Sequence, residues 1–128
     1  MAKFRDTQIK PSPTGQTTNA TPATFDLIDL AAPGFCEAIN NQGIYVEMTV
    51  IMRVASTGAT ASGKMTGISK RVAGVLTFIS TSAAVLLGDF TATGVFMPQA
   101  SGSKLQVVAT GIAATTINWT FHTHLWTD

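Results

Sequence analysis

The clearest order in the chain is a period of two. Ile44, Val46, Met48, Val50, Met52 and Val54 occupy alternate positions, with Tyr45, Glu47, Thr49, Ile51, Arg53 and Ala55 between them. Successive side chains of a strand point to opposite faces, so this run predicts a long, half-buried β-strand. The chain ends on a second one. Ile117, Trp119, Phe121, Thr123 and Leu125 share one face, while Asn118, Thr120, His122, His124 and Trp126 share the other. Shorter matches lie between and before them: Phe25 and Leu27 around Asp26, Lys64 to Val72 with weaker alternation, Val75 to Ser80, Ala83 to Leu87, Val95 to Met97, and Leu105, Val107 and Ala109. Turn signals separate them at Pro33-Gly34, Asn40 to Gly43, Ser56 to Gly63, Gly88-Asp89 and Ser101-Gly102-Ser103. Ile44 to Ala55 and Lys64 to Val72 read as a hairpin, and Pro98 puts its strand on a sheet edge. About eight strands with no 3.6-residue period predict an all-β fold, an antiparallel sandwich of jelly-roll type.

Residues 1 to 22 are different. They hold three of the five prolines, and after the initiator their only large apolar residues are Phe4 and Ile9. Such a segment cannot bury enough surface to fold alone, so it reads as an extended arm preceding a β-domain over residues 23 to 128. Phe4 and Ile9 are the residues through which such an arm would anchor on a neighbouring subunit.

Composition narrows the function classes. The 128 residues include twenty Thr, seventeen Ala, eleven Gly and eight Ser, a strand-and-turn mixture suited to one domain. Eight Lys and Arg against seven Asp and Glu leave a net charge of +1, without the basic footprint of a nucleic-acid binder. No segment resembles a signal peptide or a membrane-spanning run, so the expectation is a soluble chain made in the cytoplasm, with no membrane partner. Charge this sparse keeps a protein soluble poorly unless partners cover much of its surface.

Candidate chemistry is thin. His122 and His124 project from one strand face, as metal ligands can, but no third ligand lies at a suitable spacing, so no metal or cofactor is expected. Cys36 has no inferable histidine partner, no Gly-x-Ser-x-Gly elbow occurs, and the glycines never form a phosphate loop. The expectation is a protein that is not an enzyme. Trp126 stands out, lying beside the histidines on the face opposite the core, where an aromatic residue is costly unless a neighbour covers it. Phe4, Ile9, His122, His124 and Trp126 are therefore the candidate interface residues.

Three stretches also carry a family resemblance: Thr17 to Pro22 (TTNATP), Ile44 to Arg53 (IYVEMTVIMR), and Leu105 to Thr120 (LQVVATGIAATTINWT). Together they resemble a β-module of tailed bacteriophages that occurs as a tail-fibre tip domain and in small virion surface proteins. That module ends on a V-T-G-x-A-x-x-T-I-x-W strand, which Ala109 to Trp119 matches with one substitution at its start. The chain departs from the module's pattern in having only Arg53 where paired arginines are usual, and no fibrous stalk before the module. The resemblance implies a virion location and a structural role, either as a capsid decoration (cement) protein or as a tail-fibre component or receptor-binding module that recognises a host-surface glycan or protein. The implied partners are the major capsid protein or other virion proteins, and further copies of the chain in a dimer or trimer.

Overall fold

In a computed structural model, residues 5–9, 12–29, 42–73, 75–88 and 95–127 are described. They form nine β-strands: β1 Arg5–Gln8, β2 Thr14–Thr17, β3 Ala23–Asp29, β4 Gln42–Val54, β5 Thr60–Val72, β6 Val75–Gly88, β7 Val95–Ser101, β8 Lys104–Thr110 and β9 Ile117–Thr127. All pairings are antiparallel. One sheet has six strands, ordered β9-β4-β5-β6, with β1 and β2 both lying along the outer side of β9. The other has three, ordered β3-β8-β7. A single apolar core joins the two sheets into a sandwich.

The alternation in the sequence sets the inner faces. Every even-numbered residue from Ile44 to Val54 on β4 is buried, as are Ile117, Trp119, Phe121, Thr123 and Leu125 on β9. Burying an aliphatic or aromatic side chain of this size contributes about 2 kcal/mol. β9 pairs with β4 along its whole length, Val54 opposite Ile117 and Ile44 opposite Thr127, which makes these two strands the spine of the sheet. Aromatic rings bridge the layers. Phe96 on β7 meets Trp119 edge-on at 6.5 Å, and Phe25 on β3 lies 5.8 Å from Phe121.

Weak alternation on β5 has a physical cause. Its inward positions include Ala61, Gly63, Gly67 and Ser69, which are small or polar. Ser69 satisfies its buried hydroxyl by donating to the Ile44 carbonyl at 3.0 Å, and Gly67 makes room for the Phe78 ring, which lies 3.0 Å from where a Cβ would stand. β5 begins at Thr60, inside the stretch expected to be a connection, and the turn before it closes through Gly58 at a φ of 73°. Likewise, Val75 to Ser80 and Ala83 to Leu87 belong to one strand, β6.

The N-terminal segment is extended, but it lies on its own chain. β1 pairs with Leu125 and its neighbours, β2 pairs with Ile117 to Thr120, and the Ile9 and Phe121 amides donate to the Thr123 and Pro13 carbonyls at 3.0 and 2.9 Å. A strand left bare along its edge exposes unpaired amides, and residues 5–9 and 12–17 remove that exposure from β9.

Candidate interaction surface

The outer face of the β9-β4-β5 sheet collects the residues that the alternation leaves outside. Its floor is rigid because the side chains beneath it (Val46, Met48, Val50, Phe121 and Leu125) are buried to within 1%. Register then fixes which outer residues are neighbours. Trp126 stands opposite Tyr45, and Tyr45 stands opposite Ile68. These three form an apolar row across three strands, with Tyr45 and Ile68 both 39% exposed. The Tyr45 and Trp126 rings lie 5.5 Å apart at 49°, and His124 meets the Trp126 ring edge-on at 5.3 Å.

Polar pairs flank this row. His124 faces Glu47, and His122 faces Thr49, so that the four line a surface depression of about 240 Å³. Glu47 also pairs with Lys64 at 3.7 Å, an exposed contact of modest value. Ser12 Oγ lies 2.9 Å from His122 Nδ1, and Gln16 donates to the Asn118 side-chain carbonyl at 2.9 Å. These two bonds stitch the N-terminal segment to the outer face of β9. On the inner side a third bond completes the attachment: the Trp119 indole N–H donates to Thr17 Oγ1 at 2.9 Å, both groups being buried.

The candidate interface residues therefore separate. His122, His124 and Trp126 share the outer face, with His122 exposed and the other two half-buried. Ile9 does not join them. It is 6% exposed and packed into the chain's own core, because the strand pairing on either side turns its side chain inward. An Ile9 occupied in this way is not on the surface to anchor a neighbour. Phe4 and Cys36 lie outside the described residues. Sequence reasoning missed Tyr45, although its odd-numbered place opposite the core face of β4 was the available signal. It also missed Thr17, whose role depends on a partner 102 residues away. Among the described residues, no three His, Cys, Asp or Glu side chains converge as a metal site, and no helix is long and apolar enough to cross a membrane.

No protein-family model matches the chain. No curated protein matches it either. Among solved structures, the crystal structure of the Acinetobacter baumannii phage AM24 tailspike protein is similar over 98% of this chain, with a TM-score of 0.46 and 10% identity. The chain spans about a quarter of the length of that protein, 26%.

Proposed function

We propose that this chain is a structural protein of a tailed-bacteriophage virion, a capsid decoration protein that binds the head lattice and adds contact area against internal pressure. The observation that carries the reading is the row Trp126-Tyr45-Ile68 on a rigid sheet face. Side chains held this way cost little entropy when covered, and aromatic residues at the centre of a contact contribute most of its energy. The sequence resemblance to phage virion β-modules supplies the biological setting. In this reading the protein carries out no reaction, its partners are the major capsid protein and further copies of itself, and its location is the virion. Co-sedimentation of purified protein with undecorated heads tests it. Saturable binding of many copies per head is expected, weakened by Tyr45→Ala or Trp126→Ala, and absence of binding refutes it.

One observation favours a second reading as a tail component or receptor-binding module. Tyr45 and Ile68 share a small depression with the hydroxyls of Thr66, Ser80 and Ser82, a combination of flat apolar surface and hydrogen-bonding groups that suits a sugar ring. Binding to host-surface polysaccharide but not to heads would replace the first reading with this one.

A further inference from the structure

We propose that the outer edge of β6 pairs antiparallel with β6 of a second copy about a two-fold axis, so that the six-stranded sheet continues across a dimer. The inference does not depend on where in a virion, or whether in one, the protein acts.

It starts from a contrast between the sheet edges. An open edge offers unpaired N–H and C=O groups to any other strand, and proteins blunt that exposure with short strands, proline, charge or bulges. Three edges here are blunted. β1 and β2 are four residues each, with Pro11 and Pro13 between them. β3 carries Asp26 and Asp29 and a register shift, and β7 carries Pro98. β6 is the least blunted, since its two bulges, at Ile79 and Leu86, leave six regular residues between them. It is 14 residues long (VLTFISTSAAVLLG), with no charge and no proline, and it stands at the end of the strand order. Its first turn is tied down, the Leu76 amide donating to the Gly102 carbonyl at 2.8 Å. Beyond that, no strand among the described residues pairs with its outer side.

Two bulges divide β6. The register against β5 skips Ile79 and Leu86, leaving Ser80 to Val85 as an unbroken stretch between them. Six regular residues can exchange roughly six backbone hydrogen bonds with an antiparallel partner. A second observation points to the same side of the molecule. The four most exposed large hydrophobics among the described residues are Ile79 at 61%, Val75 and Met97 at 51%, and Val72 at 46%. Val75 and Ile79 are on β6, Val72 is on β5 opposite Val75, and β7, which carries Met97, runs close to β6.

The occupant follows from self-complementarity. Antiparallel pairing of one strand with its own copy satisfies a two-fold axis, and a closed dimer results rather than a growing fibre. A charged edge would set like charges against each other in such a pair, but an uncharged one does not.

Sedimentation velocity over a range of concentrations tests the proposal, using wild type, Ser82→Lys and Ser82→Glu, with circular dichroism to confirm the fold. Ser82 is exposed and lies within the unbroken stretch. Wild type should be a dimer. Each charged variant alone should raise the dissociation constant at least about tenfold by like-charge repulsion, and an equimolar mixture of the two should recover the dimer. If Ser82→Lys loses the β signal, Ser80→Lys, also exposed, takes its place. A wild type that stays monomeric overturns the proposal. A dimer unmoved by either charge, or open-ended aggregation, overturns it as well.

Discussion

Replacing Thr17 by Val removes one oxygen and nearly nothing else. In the folded protein that oxygen is the acceptor for the Trp119 indole N–H at 2.9 Å, and both residues are buried, at 4% and 0% exposure. Valine keeps the branched shape, so packing is preserved and the loss is confined to a buried donor with its partner removed. Leaving such a group unsatisfied costs about 2 kcal/mol, more than the net value of an ordinary hydrogen bond, because the N–H must still be stripped of water on folding. In a domain of this size that corresponds to a fall in melting temperature of roughly 5–10 °C. Thr17 also lies against Gly111, whose Cα has no room for a Cβ because Thr17 Oγ1 would stand 2.5 Å from it. Urea unfolding followed by tryptophan fluorescence measures the effect, and Trp119→Phe, which has no N–H, serves as the second arm of a double-mutant cycle. In the Trp119→Phe background, Thr17→Val should cost less than about 0.5 kcal/mol. A similar cost in both backgrounds, or a negligible cost in the wild-type background, would refute the assignment of this bond as the latch holding the N-terminal segment.

Other outcomes follow from the same structure. Thr123→Val should stabilise the protein by about 1 kcal/mol in thermal unfolding, because the Thr123 hydroxyl is buried and has no hydrogen-bond partner among the described residues. Gly15→Ala should destabilise by about 1–3 kcal/mol in urea, since its Cβ would fall 2.5 Å from the Phe25 ring, which packs on Phe121. Glu47→Gln should change stability by less than about 0.5 kcal/mol at low or high salt, as both partners of the Lys64 pair are well exposed. Deleting residues 1–17 should lower the melting temperature clearly, because it removes Ile9 and Thr17 from the core and bares the edge of β9; an unchanged melting temperature would show that the segment contributes nothing to the fold.

What was legible in the sequence was whatever alternation alone determines. The faces of β4 and β9, and hence the burial of Trp119 and the outward placement of His122, His124 and Trp126, follow from period two because every inward position holds an apolar residue or threonine. β5 was harder to bound because its inward glycines, alanine and serine carry no hydrophobic signal, and their spacing makes sense only once the Phe78 ring is seen beside Gly67. β6 reads as two strands in the sequence because the polar run Ser80-Thr81-Ser82 separates its apolar residues. The N-terminal segment read as an arm because prolines and threonines give no local reason to fold. Its order comes from β9, more than a hundred residues later, and from the bonds of Ser12, Gln16 and Thr17 to His122, Asn118 and Trp119. In the candidate surface, Trp126 could be picked out by its parity, but its pairing with Tyr45 depends on the β4–β9 register, which local patterning does not contain.

The proposal that this chain covers a head lattice is tested by imaging intact particles with labelled antibody against the protein. Label distributed over the whole head in many copies is expected. Label confined to a few copies at the tail end, or absent from the particle, would contradict it.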